Sequence, residues 1–310
     1  MDGGYPAGGT DTAGASGPPA RYDRPAMKIF PTQIETYLNC PRKYQYSRDP
    51  DLRRKYMKSS PHLVLGNAVH DALQAFFDLA TTPLGERTYE KLCALLRDAW
   101  AGRGAFRRNA WKQKQAREEA FGEDREAEKA WGQKGLNILY RFFQTQDTSV
   151  VPLTAEQFHE MRLTEHVTLG GKIDRIDRLE DGRLVVIDYK TGKPPSERDR
   201  ARIADEDLQL AAYALLVTRK FRGEVARCSY LYLNDELEVG YAPDERILAR
   251  TEERLNEVCG RILSATESET FEPTPNPLCG WCDFLPICEA GSAYQREREA
   301  GSGEQVDLPF

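Results

Sequence analysis

The stretch 171–193 constrains this chain more than any other, because it has the pattern of a β-hairpin whose second strand carries charge into the core. An apolar-rich segment that includes Asp174 runs to a turn signal at Asp181-Gly182, and a second strand follows. Four alternate residues of that strand share one face, namely Leu184, Val186, Asp188 and Lys190. A carboxylate and an ammonium at the end of a buried strand are costly unless they have a partner or a function. The pattern therefore predicts a site that holds a divalent metal ion.

The length of the hairpin loop decides whether the two aspartates share a face. A two-residue loop at 181–182 would place Asp174 and Asp188 on opposite faces. A three-residue loop over 181–183 would instead place Asp174 opposite Lys190, on the same face as Asp188. Three-residue loops with glycine in the left-handed position are common in hairpins. We therefore predict the second register, which would bring two acids and a lysine within reach of one ion.

Four short motifs follow one another along the chain. They are L-G-N-A-V-H at 65–70, G-K-I-D-R-I-D at 171–177, I-D-Y-K-T-G-K at 187–193 and Q-L-A-A-Y at 209–213. In this order they resemble the PD-(D/E)xK nuclease superfamily, specifically its RecB-type branch, over about residues 28–290. The resemblance implies an α/β fold in which a restriction-endonuclease-like mixed β-sheet core is flanked by helices. It also implies a nuclease that hydrolyses phosphodiester bonds.

The resemblance assigns metal binding to four residues. Mg²⁺ or Mn²⁺ would be bound by His70, Asp174, Asp188 and the main-chain carbonyl of Tyr189, since hard oxygen ligands suit these ions. The metal would polarise the scissile phosphate and activate a water molecule for attack. For His70 alone, the plainer interpretation is a histidine hydrogen-bonded at the surface of an amphipathic helix over residues 66–80.

The resemblance also implies roles for residues beside the metal. Lys190 would stabilise the attacking water or the negative charge that grows on the phosphate, although a lysine next to an acid is more often an ordinary salt bridge. Gln209 and Tyr213 share one helix face and would contact nucleic acid or steady the site, or form an ordinary surface pair. Glu165, on a strand predicted over 161–169, is a further candidate acid, with an exposed strand glutamate as the alternative.

A helical insertion is predicted between the histidine motif and the first acidic strand, at about 84–150. Within it, residues 97–117 carry seven basic residues against Asp98 alone, with three aromatics among them. The basic residues are Arg97, Arg103, Arg107, Arg108, Lys112, Lys114 and Arg117, and the aromatics are Trp100, Phe106 and Trp111. Cations on phosphates and aromatics under bases are what a single-strand nucleic-acid track needs. The alternative is a solvated helix face whose aromatics belong to the core.

Three cysteines near the C-terminus have the spacing C-x2-C-x5-C, namely Cys279, Cys282 and Cys288. In a reducing compartment such a run indicates metal ligation, and Cys40 is the natural fourth ligand. On chemistry alone, Zn²⁺ suits four cysteines almost as well as an iron–sulfur cluster does. Resemblance to the iron–sulfur nucleases of the same branch implies a [4Fe-4S] cluster. Segment 273–290 would then form a C-terminal cysteine clamp with Cys40, so that metal binding contributes to folding.

Composition sets further expectations. The net charge of −6 argues against a uniformly basic nucleic-acid-binding surface, without excluding a local basic track. No apolar run reaches the ~20 residues needed to cross a bilayer, and no secretory signal opens the chain, so we expect a cytoplasmic protein. Residues 1–26 are predicted to form a disordered tail and residues 291–310 a flexible one.

The branch suggests an exonuclease that cuts single-stranded DNA, or DNA with free ends, in repair or in the processing of foreign DNA. Because the chain has no G-x-x-x-x-G-K-[ST] motif, a separate helicase would supply any motor, and a repair or CRISPR protein is a further expected partner. The alternative is a non-catalytic DNA-binding module with a structural iron–sulfur or zinc site. The presence of Asp174, Asp188 and Lys190 together favours the enzyme.

Overall fold

Six strands form one mixed sheet in the computed structural model, which describes residues 26–104 and 110–301. The strands are β1 (Met27–Ile29), β2 (Thr154–Arg162), β3 (Val167–Arg178), β4 (Leu184–Lys190), β5 (Val225–Tyr232) and β6 (Leu237–Tyr241). β3 is antiparallel to β2 along one edge. Along its other edge β3 is parallel to β1 at its start and antiparallel to β4 at its end. β5 then lies parallel to β4, and β6 antiparallel to β5.

One edge of β3 is open over a short stretch. β1 pairs with β3 as far as Leu169, and β4 pairs with it from Arg175 onwards. Residues 170–174, which we call the open edge, therefore have no strand neighbour on that side in the part of the chain that the structure describes. Helices on the two faces of the sheet send side chains to this opening.

The hairpin between β3 and β4 has a loop of three residues, 180–182, closed by a hydrogen bond from the Leu179 N–H to the carbonyl of Arg183. Gly182 has a φ of +87°, the left-handed conformation that such loops require. The loop has the predicted length but begins one residue earlier. The predicted register is therefore wrong by two residues. The observed register pairs Arg175 with Ile187, and its continuation brings Asp174 beside Asp188 instead of opposite Lys190. A shift of two residues leaves both aspartates on the face that was predicted for them.

Twelve helices occupy the described ranges. They are α1 (Pro31–Asn39), α2 (Pro41–Arg48), α3 (Pro50–Tyr56), α4 (Pro61–Phe77), α5 (Tyr89–Trp100), α6 (Ala110–Phe121), α7 (Arg125–Thr145), α8 (Glu197–Arg200), α9 (Ile203–Glu206), α10 (Leu208–Phe221), α11 (Glu245–Glu267) and α12 (Glu289–Gly301). Side chains cap several of their starts, as Ser60 does for α4, Asp124 for α7 and Asp207 for α10. No described helix is both long and apolar enough to cross a membrane.

The two faces of the sheet bury separate hydrophobic cores. On one face, residues of α1, α10 and α11 pack against alternate residues of the strands, such as Val186. α10 is buried continuously from Leu208 to Val217, because it is enclosed between the sheet and α11. On the other face, α4, α5 and α7 pack against residues such as Val185. A Cβ added at Gly135 of α7 would lie 3.1 Å from Leu65 of α4, so glycine permits this close helix packing.

The C-terminal part of the chain differs from its prediction. Residues 289–301 form α12, whereas residues 291–310 were predicted to be a flexible tail. The helix is held because the Ser292 hydroxyl donates to the carbonyl of Leu285 at 3.0 Å, and because Gln295 packs against Gly280. Residues 302–310 and the predicted N-terminal tail up to residue 25 lie outside the described residues.

Candidate active site

Three side chains that could hold a metal ion meet at the open edge of β3. They are His70, Glu156 and Asp174, and their ligand atoms all lie within 4.8 Å of one another. His70 Nδ1 lies 2.8 Å from Glu156 Oε1 and 3.3 Å from Asp174 Oδ1. Both carboxylates are buried. Two acids and an imidazole in this arrangement are a donor set that suits a divalent cation.

The backbone of Tyr189 ties two of these residues together. β4 separates from β3 beyond the pair between Arg175 and Ile187, so the main chain of Tyr189 is free to bond to side chains. Its N–H donates to Asp174 Oδ2 at 2.7 Å, and its carbonyl lies 3.1 Å from His70 Nε2. The carbonyl predicted as a metal ligand is thus beside the predicted histidine. Burial lowers the pKa of His70, but the charges of Asp174 and Glu156 raise it well above its usual value.

Glu156 is the site residue that sequence reasoning missed. It is the third residue of β2 and has a φ of +52°. The pairs on either side of it, Ala155 with Arg175 and Gln157 with Ile173, place it opposite Asp174. Its second oxygen, Oε2, is 2.5 Å from Lys172 Nζ. Burial raises the pKa of Glu156, but His70 and Lys172 outweigh burial and lower it to about 2.

The acid that was predicted instead, Glu165, lies outside the site. The strand predicted over 161–169 is interrupted, because β2 ends at Arg162 and β3 begins at Val167. Glu165 is exposed in the turn between them. A turn predicted at 163–166 would have identified Glu156, because antiparallel pairing across that turn places Glu156 opposite Asp174.

Asp188 and Lys190 form an ion pair beside the metal-binding group. Asp188 Oδ2 lies 2.6 Å from Lys190 Nζ, and Asp188 Oδ1 accepts a hydrogen bond from Gln209 at 3.3 Å. Although the Lys190 ammonium is close, Oδ2 is buried and receives no well-directed hydrogen bond. Burial and the nearby charge of Asp174 raise the pKa of Asp188 to about 7, against the opposing effect of Lys190. A buried carboxylate that is so costly to ionise has the capacity to bind a further cation.

Lys190 lies near two residues that the sequence did not indicate: it contacts the ring of Tyr230, whose hydroxyl is held by Asp207. Its Nζ lies 4.5 Å from the centre of the Tyr230 ring and 3.4 Å from Gln209 Oε1. The Tyr230 hydroxyl donates to Asp207 at 2.9 Å, and Asp207 also caps α10. Burial lowers the pKa of Lys190, but Asp188 raises it above its usual value, so the side chain is a fixed ammonium.

Tyr213 reaches the open edge from the other face of the sheet. Its ring packs on the backbone of Gly171, where an added Cβ would lie 2.7 Å from a ring carbon. Its hydroxyl donates to the carbonyl of Lys172 at 3.3 Å and accepts from Gln209 at 3.2 Å. The predicted pair on one helix face is therefore part of the same network as Asp188, because Gln209 contacts both.

The four cysteines predicted as ligands surround one cavity of about 80 Å³. Cys40 lies at the junction of α1 and α2, and Cys279, Cys282 and Cys288 lie in loops that contain short 3-10 turns. Three of the sulfur atoms accept backbone N–H groups at 3.4 Å, from Thr274 to Cys40, from Asn276 to Cys279 and from Gly291 to Cys288. Within the described residues, no three of these sulfur atoms lie within 4.8 Å of one another.

The basic stretch at 97–117 is only partly described, because residues 105–109, which include Phe106, Arg107 and Arg108, lie outside the described residues. Several of its described cations have acidic partners: Arg103 pairs with Asp98, Lys114 with Glu118 and Arg117 with Glu128. Trp111 is exposed over 62% of its surface, as a nucleic-acid track would require, whereas Trp100 packs against Phe121.

Comparison with known proteins adds a family and two partial relatives. A family model described as the PD-(D/E)XK nuclease superfamily matches residues 29–289. A CRISPR-associated exonuclease Cas4/endonuclease Cas1 fusion from Myxococcus xanthus (strain DK1622) is 27% identical over 127 residues, which are 40% of this chain and 22% of the relative. Gene 69 protein of Mycobacterium phage D29 is 28% identical over 167 residues, 50% of this chain and 57% of the relative. The chain thus spans less than two thirds of either relative. The crystal structure of SSO0001 aligns with 85% of this chain and 86% of its own at 16% identity, with a TM-score of 0.35.

Proposed function

Because the chain belongs to the PD-(D/E)XK nuclease superfamily, we propose that it is a divalent-metal-dependent DNA nuclease and that the open edge of β3 is its active site. The mixed sheet flanked by helices agrees with the restriction-endonuclease-like fold of this superfamily, so the predicted fold class is confirmed. The observation that carries the proposal is the convergence of His70, Glu156 and Asp174 within 4.8 Å, next to the Asp188–Lys190 pair.

The residues present fit Mg²⁺ or Mn²⁺. Buried carboxylate oxygens are supplied by Asp174, Asp188 and Glu156. Asp188 Oδ2 lies 2.6 Å from Lys190 Nζ but receives no well-directed hydrogen bond, so it has the capacity to bind a metal ion. His70 and the carbonyl of Tyr189 complete a donor set of mainly hard atoms. A metal ion held there supplies Lewis-acid activation of the phosphate and of the attacking water.

The protein's own side chains have distinct tasks beside the metal. Lys190 places a fixed ammonium next to Asp188, where it stabilises negative charge that develops on the phosphate. Gln209 holds both partners of this pair, since its amide N–H donates to Asp188 and its oxygen accepts from Lys190. Tyr213 fixes the orientation of Gln209 and covers the open edge. Catalysis in this proposal rests on positioning these groups before the substrate arrives.

For the substrate we propose single-stranded DNA or DNA with free ends, cut as an exonuclease. The partial relative from Myxococcus xanthus, described as an exonuclease/endonuclease fusion, supports this choice over residues that make up 40% of the chain. We also propose a repair or CRISPR protein as a partner, in line with the description of that relative as CRISPR-associated, and a separate helicase for any unwinding.

The proposal is tested with single-stranded DNA labelled at the 5′ or the 3′ end, incubated with Mg²⁺ or with EDTA. We expect cleavage only with Mg²⁺, and no detectable cleavage by Asp188→Asn or Lys190→Ala. Arg246→Gln, at an exposed arginine of α11, is the control that keeps full activity. Metal-independent binding without cleavage by the wild-type protein would instead identify a non-catalytic DNA-binding module.

For the four cysteines we propose a [4Fe-4S] cluster with a structural role. The arrangement of the four cysteines around one cavity supports a bound metal centre. The choice of an iron–sulfur cluster over a zinc ion rests on the resemblance of the motif order and cysteine set to the iron–sulfur nucleases. Iron and acid-labile sulfide in anaerobically purified protein, lost in Cys282→Ser, would support this assignment. One zinc ion per chain and no iron would refute it.

A further inference from the structure

A cleft of about 370 Å³ opens between α5 and α7, away from the residues of the proposed active site. Its floor is apolar and aromatic, formed by Leu96, Trp100 and Leu136. Gly132 also lines it, and a Cβ added there would lie 4.0 Å from the Trp100 ring, an ordinary contact distance. The volume lies within the range of small-molecule sites, so the cleft has room for a nucleobase.

The indole of Trp100 is fixed in place. Its N–H donates to Glu128 at 3.4 Å, and its ring lies 5.9 Å from the ring of Phe121. A rigid aromatic side chain on the floor of a cleft is suited to contact a flat ring, because little side-chain entropy is lost on binding.

The rim of the cleft is basic. It carries Arg97, Arg125 and Lys129 against one acid, Glu128. That acid is already neutralised, because it lies 2.7 Å from Arg125 and 3.2 Å from Arg117. Arg97 and Lys129 form no ion pair within the described residues. In a chain of net charge −6, two cations without acidic partners beside an apolar floor are an unusual local surface.

The cleft is linked to the active site through α4. Trp131, next to Gly132 on α7, lies 4.5 Å from the ring of His62 on α4. His70 follows on the same helix about 12 Å along its axis, at 1.5 Å per residue. α4 thus connects the neighbourhood of the cleft with the open edge of β3.

We propose that this cleft is a second contact site for single-stranded nucleic acid, which places a base on the Trp100 floor and phosphates against Arg97 and Lys129. The combination of an apolar ring surface with cations on its border matches a nucleotide. The proposal rests on the proposed nuclease function for the direction of the strand, whereas binding in the cleft is independent of cleavage.

The test measures binding of a fluorescein-labelled oligothymidylate to the full chain by anisotropy, in EDTA, between ~50 and ~200 mM salt. In the double variant Arg97→Gln/Lys129→Gln, we expect the slope of log K against log salt to fall in magnitude by about 1.4, at about 0.7 per phosphate contact. The dissociation constant should rise roughly ten-fold at ~0.15 M salt. Trp100→Ala should weaken binding, and Trp100→Phe should restore part of it.

The matched control is Lys220→Gln/Arg246→Gln, which removes the same charge from exposed positions on α10 and α11. An unchanged slope in the cleft variant, or an equal loss in both double variants, would overturn the proposal. Thermal unfolding followed by circular dichroism checks that all variants are folded. Cleavage in Mg²⁺ is measured in parallel. If only the cleft variant loses affinity and the wild-type protein cuts nothing, the proposal for the cleft stands and the proposed nuclease function is refuted.

Discussion

Replacing Glu156 by glutamine separates the site seen in the structure from the one expected from sequence. The substitution keeps the size and shape of the side chain but removes its charge. Glu156 is 5% exposed, and its two oxygens lie 2.8 Å from His70 and 2.5 Å from Lys172. Its loss removes the carboxylate beside Lys172 and leaves His70 with Asp174 alone, at 3.3 Å, and it removes one anion from the proposed metal site.

The structure gives the size of the effect on stability. The pKa of Glu156 falls from 4.5 to about 2, and each pKa unit corresponds to about 1.4 kcal/mol, so the fold stabilises the ionised carboxylate by about 3 kcal/mol. Because this pKa is lowered, the stabilisation is present above the unfolded value of about 4.5 and is lost as the pH falls towards about 2. Glu156→Gln should therefore lower the free energy of unfolding of the metal-free protein by up to about 3 kcal/mol at pH 7.

Two assays check the prediction. Urea unfolding in EDTA measures the stability difference, which should narrow as the pH is lowered from about 4.5. Isothermal titration with Mn²⁺ measures metal affinity, which should fall roughly 10–100-fold, as it does when a group supporting a metal site is removed. Glu165→Gln is the control, because Glu165 is exposed in a turn and should change neither quantity. Wild-type Mn²⁺ affinity in Glu156→Gln, or a loss only in Glu165→Gln, would refute the reasoning.

Three further predictions follow from the same geometry. Gly171→Ala should cost about 1–3 kcal/mol in urea unfolding, because its Cβ would meet the Tyr213 ring; unchanged stability would contradict this packing. Mn²⁺ affinity measured by titration calorimetry should increase as the pH rises through about 7, since the metal displaces the proton of Asp188; a pH-independent affinity would exclude that step. Tyr230→Leu should lower the cleavage rate about ten-fold by removing the ring beside Lys190, and Tyr230→Phe should lower it less; equal rates for both variants would contradict a role of the ring.

The cysteine centre could be predicted only in part. The C-x2-C-x5-C spacing and Cys40 indicate a metal site, because thiols so close in an irregular segment have few other uses. The structure brings all four to one cavity although Cys40 is far from the others in sequence. The distances between sulfur atoms, which bear on the size of the cofactor, depend on how α1, α2 and α12 pack, and no spacing rule contains them.

The sequence by itself determined which residues of the hairpin share a face. Alternation along a strand places Asp188 with Lys190, and Asp174 joins them in any register shifted by an even number of residues. That is why a register error of two residues left the predicted face unchanged. The pattern also indicated the His70 helix and the Gln209–Tyr213 pair, because helical periodicity is local.

Only the tertiary structure decided where the site opens and which acid completes it. The open edge exists because β1 and β4 pair with different ends of β3, a relation between segments far apart in the chain. Glu156 enters because a turn at 163–166 sets its register against Asp174, and because its backbone adopts a positive φ. Glu165, nearer in sequence, is carried away by the same turn. Side-chain alternation is a property of neighbours along the chain, whereas a metal site is a meeting of distant segments, fixed by strand pairing and helix packing.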